Sequence, residues 1–344
     1  MENMTNILFV SPVNSSFVQS DFDLLCKHYN VRRLLFTQDL KDPCATIRSF
    51  VRLIIGVVWA DLTFSWFADV HAYWAVLFSR VFGRKSIVVL GGYEVANLEV
   101  IDYGLAGRLR SLRRVRYVLT NASRILPVDQ GLVDDAARNI NVSTRNMNVV
   151  PTGFDPERFK LRGTKLRKVV TVCLADSYQR AVLKGLDVFV RSAALLPEYD
   201  FLVIGVNGEA RRQLSMIAPQ NLGMIGPLPQ EDLLVFLSEA RVYCQLSMRE
   251  GLPNSLCEAM LCECVPVGTN VPGIETAIGD TGFYVGYGDY RATACAITEA
   301  MKSERGYIAR KRIVEEFSLS KRETSLLRII EILGRSDDRV ASNS

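Results

Sequence analysis

Short apolar runs alternate with longer segments of helical spacing along the chain. Asn6 to Val10, Val31 to Phe36, Leu62 to Phe67, Ser86 to Leu90 and Ile125 to Val128 have the length and composition of buried strands. Between them, Phe17 to His28, Thr46 to Trp59, Val70 to Phe82, Leu105 to Leu119 and Gln130 to Asn139 repeat apolar residues at helical spacing, and Gly83 follows the third as a C-cap. A second series begins at Lys168 to Leu174. Its further strands are Asp200 to Ile204, Met224-Ile225, Val242 to Leu246 and Val265 to Gly268. Its helices are Gly185 to Leu196, Ala210 to Ile217, Gln230 to Ala240 and Asn254 to Leu261, followed by helical tails at Thr293 to Met301 and Ile308 to Leu333. This alternation predicts an α/β chain of two doubly wound domains joined near Pro151 to Lys165, facing each other with the ligand site in the cleft.

Length agrees, since 344 residues exceed the roughly 250 to 300 at which one core stops growing. Hydrophobic residues at 49% and charged residues at 23% exclude a disordered chain. The net charge of +4, from 41 basic and 37 acidic side chains, gives no footprint for nucleic acid. Met1 to Met4 is not cationic, so no signal peptide is expected. Asp61, Asp69 and Arg80 interrupt the most apolar region, Leu53 to Phe82, so no spanning helix is expected either. The eight cysteines then read as reduced and mostly buried, in a cytoplasmic protein. Cys257, Cys262 and Cys264 lack the spacing and fourth ligand of a zinc site, and His28 and His71 are remote in sequence, so no metal is expected.

The densest chemistry runs from Arg249 to Met260. A buried strand precedes it and a helix follows, with Pro253 predicted at the first helical position, where its missing N–H is harmless. The amides of Leu252, Asn254 and Ser255 then offer an anion-binding helix N-terminus. Glu250 and Glu258 flank that N-terminus. Two carboxylates beside an anion site suit a ligand with both an anionic group and sugar hydroxyls; an acidic loop before an ordinary helix is the plainer alternative.

The span Glu250-x7-Glu258, with Ala259-Met260 and Val265-Pro266-Val267 beyond it, resembles the Glu-x7-Glu motif of the retaining GT-B glycosyltransferases of family 4, the glycosyl transferases group 1. Four further stretches are similar to that family in its order: Val150 to Phe159, Lys184-Gly185-Leu186-Asp187, Gly226-Pro227-Leu228-Pro229 and Val271 to Glu275. The match continues more weakly through Ala122 to Val128. The resemblance implies two Rossmann-like domains, residues 1–155 on the acceptor side and 156–318 on the nucleotide-sugar side, with a helix near 319–333 packing back on the first. It implies sugar transfer from a UDP- or GDP-linked donor to a hydroxyl of a glycan or lipid-linked acceptor, with retention, in cell-surface polysaccharide or glycolipid assembly. No cofactor or metal is implied. By the same resemblance Glu258 holds the ribose, Glu250 contacts the donor sugar, Lys184 neutralises the diphosphate with help from Arg180, and Gly153 and Gly251 let backbone approach the donor.

The sequence departs from the family at two places. Cys173 to Asp176 stands where the family has Gly-Arg, so Arg180 is a substitute. Gly91 stands where the family carries a His after the fourth strand, which leaves Tyr93, Glu94 and His71 as acceptor-side candidates. The departure at Gly91 keeps open a non-catalytic nucleotide-sugar binder, and a GT-B sugar-nucleotide epimerase is a more distant alternative. The arginines of Leu105 to Leu119 (108, 110, 113, 114 and 116) suit either a solvated helix face or peripheral contact with an anionic inner membrane face.

Overall fold

The β-branched runs of the first series pair as one parallel sheet. In a computed structural model described over residues 4–36 and 43–341, the chain divides into two compact units, residues 1–151 with 322–344, and residues 152–321. Met1 to Asn3, on which part of the signal-peptide expectation rests, lies outside the described residues. In unit 1, β1 (Asn6–Ser11), α1 (Ser16–Cys26), β2 (Asn30–Leu35), α2 (Pro43–Trp59) and β3 (Leu62–Trp66) come first. α3 (Val70–Val81), β4 (Lys85–Leu90), α4 (Leu109–Asn121), β5 (Arg124–Pro127) and α5 (Gln130–Asp135) follow. The strand order is β2-β1-β3-β4-β5, all parallel. Interior β4 is buried from Ser86 to Leu90, and so Ile87 to Leu90 reads as a continuous apolar run rather than an alternating one.

Unit 2 contains β6 (Leu166–Ala175), α6 (Tyr178–Leu183), α7 (Leu186–Ala193), β7 (Asp200–Val206), α8 (Gly208–Ser215), β8 (Leu222–Ile225) and α9 (Gln230–Glu239). β9 (Ala240–Gln245), α10 (Asn254–Leu261), β10 (Val265–Thr269), α11 (Pro272–Ile278), β11 (Phe283–Val285), α12 (Tyr290–Lys302) and α13 (Gly306–Glu316) complete it. Its parallel sheet has the order β11-β10-β9-β6-β7-β8, so the winding reverses between β6 and β9. That reversal opens a crevice at the carboxyl ends of the strands, where doubly wound sheets bind ligands. α14 (Leu319–Ala341) carries the chain back to unit 1, where Leu326, Ile330 and Leu333 are buried.

Several boundaries differ from the sequence expectation. The tail predicted as one helix is two, broken at Phe317–Ser318, where the Phe154 amide donates to the Phe317 carbonyl and the Leu319 amide to the Phe154 carbonyl. The arginine helix starts at Leu109 rather than Leu105. Its buried residues are Ser111, Val115, Val118 and Leu119, and Leu109 is exposed. Arg108, Arg114 and Arg116 are engaged by Asp102, by Asp69 with Ser111, and by the Ile140 carbonyl. Among the described residues no helix is long and apolar enough to cross a membrane. All eight cysteines are free thiols, and five are buried.

Unit 1 is fastened by a buried ion pair. Arg322 donates twice to Asp21, from Nε to Oδ1 and from Nη2 to Oδ2, both at 2.5 Å, with 2% and 1% of the two side chains exposed. Its Nη1 also donates to the carbonyls of Val150 and Pro151 at 2.8 and 2.7 Å. Trp66 Nε1 donates to Asp21 Oδ2 at 2.8 Å. One guanidinium thus joins α1, β3, the last residues of the first segment and α14. Removing one member strands a buried charge, which costs about 3–5 kcal/mol. Asp21→Ala should therefore cost about that much in urea unfolding. Glu323→Gln, which removes the half-exposed partner of His28, should cost under about 1 kcal/mol. Tryptophan fluorescence reads this unit directly, because Trp59, Trp66 and Trp74 all lie in it.

Candidate functional site

The site in unit 2 is built at the carboxyl end of β9. The two-residue period of a strand points Tyr243 and Gln245 to one side of β9, which is buried throughout Val242 to Gln245. The Tyr243 hydroxyl accepts the Val172 amide at 3.3 Å and lies 2.8 Å from Ser255 Oγ. Burial raises its pKa, so it stays a neutral phenol. Beyond the strand, Thr269 Oγ1 donates to the Ser247 carbonyl at 2.6 Å and fixes the loop on β10. Glu250 sits at the end of this polar chain. Its Oε1 accepts from Lys184 Nζ at 2.6 Å, Ser247 Oγ at 2.6 Å and Gln245 Nε2 at 2.9 Å. Among the described residues no donor reaches its Oε2.

Two glycines make this arrangement possible. Gly185, between α6 and α7, has φ +66°, and a Cβ there would lie 2.1 Å from the Leu246 carbonyl oxygen. Only glycine brings the Lys184 backbone so close to the end of β9. A Cβ on Gly273, in the first turn of α11, would lie 1.2 Å from the Gly251 carbonyl oxygen. The loop from Glu250 to Pro253 therefore rests directly on that helix.

α10 spans Asn254–Leu261, the bounds expected from the sequence. Pro253 is its N-cap, not its first helical residue, with φ −75° and ψ 106°, and no side chain caps this end. The first amides, those of Asn254 and Ser255, carry the positive end of the helix dipole. Asn254 Oδ1 accepts from Thr152 Oγ1 at 3.0 Å, which brings Gly153, next in the chain, beside this N-terminus. Leu252 is buried. Glu258, on the next turn, is 7% exposed and accepts from Gln230 Nε2 at 2.7 Å. Burial pushes its pKa up to about 7, against the lowering effects of that hydrogen bond and of the Arg158 charge. Arg310 secures the segment bearing Arg158 by donating to the carbonyls of Pro156 and Phe159, at 2.9 and 2.7 Å, and to that of Leu261.

Lys184, Glu250, Glu258, Gly153, Gly251, Leu252, Asn254 and Ser255 thus gather around α10 and its leading loop. Arg180 is exposed, and its Nε donates to the Leu174 carbonyl at 2.6 Å. Its charge acts, with those of Lys184 and Glu250, on the Cys173 thiol, which burial pushes up to about 11. Sequence reading missed Gln230, Gln245, Ser247, Tyr243 and Arg158. Gln230 opens the helix directly after the Gly226 to Pro229 turn and could have been found there. Cys264 Sγ donates to the Leu237 and Ala240 carbonyls, and among the described residues no three His, Cys, Asp or Glu side chains form a metal-sized cluster.

The unit 1 candidates are placed differently. Glu94, 1% exposed, accepts the amides of Gly92, Gly91 and Ala68 at 2.7, 3.1 and 3.3 Å and so clasps the turn after β4. Burial raises its pKa. His71 is 3% exposed, with Nε2 2.6 Å from the Trp66 carbonyl, and burial lowers its pKa, so it is a neutral donor tied to backbone. Tyr93 is exposed and packs edge-on against Tyr103. A Cβ on Gly91 would lie 2.6 Å from Cε1 of Phe67, so the Phe67 ring fills the space a larger residue there would need.

Residues 168–303 match the family model described as Glycosyl transferases group 1. Over 187 residues the chain is 27% identical to the capsular polysaccharide biosynthesis glycosyltransferase CapM of Staphylococcus aureus, covering 48% of this chain and 49% of that one. The chain thus spans about half the length of that relative. It is 25% identical to the N-acetyl-alpha-D-glucosaminyl L-malate synthase of Bacillus anthracis over 283 residues, 76% of this chain and 72% of that one. Among solved structures, Anabaena HepE in complex with UDP and glucose aligns with a TM-score of 0.76 at 13% identity, over 95% of this chain and 99% of that one. The sucrose-phosphate synthase of Thermosynechococcus elongatus aligns equally well, at 15% identity over 96% and 100%. The chain therefore has the GT-B fold, and its residues 168–303 carry the signature of the group 1 glycosyl transferases.

Proposed function

We propose that this chain is a retaining glycosyltransferase that moves a sugar from a UDP- or GDP-linked donor to a hydroxyl of a glycan or lipid-linked acceptor, in cell-surface polysaccharide or glycolipid assembly. The observation that carries this reading is the pairing of Glu250, anchored through one oxygen by Lys184, Ser247 and Gln245, with buried Glu258 one turn inside an uncapped helix. The solved complexes of HepE with UDP-glucose support the donor class, and CapM supports the setting.

In this reading the α10 amides and Lys184 face the diphosphate. They supply positive charge where negative charge grows on the leaving oxygen. Lys184 exchanges part of its contact with Glu250 for phosphate oxygens. The Oε2 of Glu250 is then available to a donor-sugar hydroxyl, and Glu258 accepts from the ribose. No side chain serves as a nucleophile; the departing phosphate takes the acceptor proton on the face it leaves. Because Lys184 and the helix amides carry the counter-charge, transfer should persist in excess chelator. Activity lost to the chelator and restored by manganese would overturn that assignment.

The two glutamates should fail differently. Glu258 acts on a part of the donor that does not react, so Glu258→Gln should raise the donor Kd roughly ten- to a hundred-fold with little change in kcat. Glu250→Gln should lower kcat more than it changes donor affinity. Equal effects on Kd would refute the split. Titration gives a third check. With a carboxyl near pKa 7, only the ionised form of Glu258 accepts fully, so donor binding releases a proton and tightens as pH rises through about 7. Calorimetry from pH 6 to 8 should show this slope, and Glu258→Gln should flatten it.

The Phe67 ring beside Gly91 favours a second reading, a nucleotide-sugar binder without turnover. Slow hydrolysis of labelled donor without acceptor separates the two, since only an active transferase cleaves it.

A further inference from the structure

Helix α2 is apolar on the side that faces away from the sheet. Ser49, Leu53, Gly56 and Val57 are buried, and Leu53 and Val57 join the core. Ile47, Val51, Ile55 and Val58 are 62, 49, 61 and 48% exposed. At about 100° per residue these four fall within about 80° of arc, opposite the buried face. A surface helix normally turns polar residues outward. A contiguous apolar stripe in that place marks an interaction site.

The rim of the stripe is cationic. α2 contains no Asp or Glu, and its two charged residues, Arg48 and Arg52, are exposed along one flank of the stripe. At its end the Arg32 guanidinium lies 3.9 Å from the Trp59 ring centroid, and Arg84 Nη2 donates to the Val58 carbonyl at 2.9 Å. Asp61 Oδ1 lies 3.8 Å from Arg84 Nη1. Val81 and Phe82, just before Arg84 in the chain, are 68 and 42% exposed and extend the apolar surface.

We infer that the outward face of α2 docks unit 1 on an anionic phospholipid bilayer surface. Ile47, Val51, Ile55 and Val58 enter the acyl boundary while Arg48 and Arg52 meet the headgroup phosphates. The helix is 17 residues, roughly 25 Å, with two arginines on its flank, so it lies in the interface plane rather than spanning it. A second copy of this chain is a poorer occupant, because a two-fold contact of α2 on α2 sets Arg48 and Arg52 against their own copies. The inference moves lipid contact from α4, where three of five arginines are already engaged. It does not rest on the nucleotide-sugar reading, since the stripe lies wholly in unit 1.

Vesicle sedimentation at low salt tests it, with phosphatidylcholine vesicles containing about 30% phosphatidylglycerol. The protein should bind these vesicles, bind pure phosphatidylcholine more weakly, and release as salt rises. The triple variant Ile47→Ser, Val51→Ser, Ile55→Ser should lose at least about tenfold in partitioning. Its thermal midpoint and its binding of free UDP or GDP should stay close to the parent's, because about half or more of each of these residues is already exposed. Arg48→Gln with Arg52→Gln should lose affinity for anionic vesicles only, and Arg110→Gln with Arg113→Gln should change little. Failure of the native protein to bind anionic vesicles would sink the proposal, as would a triple variant that binds like the parent. So would loss of binding through the α4 substitutions alone, or a native dimer that the triple variant turns into monomer. None of these outcomes bears on donor binding, so the two readings fail separately.

Discussion

The candidate site depends on backbone lying against backbone at the end of β9. Gly185 meets the Leu246 carbonyl and Gly273 meets the Gly251 carbonyl, each where a single Cβ has no room. These contacts fix the path of the loop between Leu246 and Pro253 before any side chain is considered. Lys184 and Glu250 then meet at 2.6 Å because the segments carrying them are already pinned. The ion pair follows from the packing and does not create it. The same pinning leaves the first amides of α10 uncapped, since Pro253 has no side-chain oxygen to offer.

Electrostatics within the site divide the labour of its two acids. Glu250 has three donors on one oxygen, one of them an ammonium group, and so remains charge-balanced. Glu258 has one amide donor and a more remote guanidinium, and burial governs it. Two carboxyls eight residues apart therefore have different surroundings. The difference comes from what each is packed against, not from the acids themselves.

Much of this was legible in the sequence. The strands of both sheets stood out because parallel strands buried on both faces read as unbroken apolar runs, as in Ile87 to Leu90. Glu250 and Glu258 stood out because they flank a proline-led helix start, and Lys184 because Lys184-Gly185-Leu186-Asp187 resembles a segment of the group 1 glycosyl transferases. β11 did not, because three residues carry no period. The break at Phe317 did not, because it depends on Phe154, far away in the chain. Gln245 and Arg158 were invisible for the same reason: each is an ordinary polar residue until the fold brings it to a carboxylate. The outward stripe of α2 was hidden differently. Apolar residues at helical spacing look alike whether they face a core or an interface, and only exposure separates them. In Glu94 and His71 the reverse occurs, since residues with chemical potential turn out to be bonded to backbone amides and carbonyls.

The Asp21–Arg322 pair spans 301 residues of sequence, which bears on how the chain is made. At about 5–20 residues per second, a ribosome needs roughly 15 to 60 s to travel from one partner to the other. During that interval the Asp21 carboxylate has only the Trp66 indole as a side-chain donor, and the carbonyls of Val150 and Pro151 have no guanidinium. The contiguous unit 2 can close its sheet while unit 1 still waits for its last strap. Nascent unit 1 therefore exposes apolar surface meant for Leu326, Ile330 and Leu333 until late in synthesis. For this chain, completion of the first core waits on residues that are made only after the whole of unit 2.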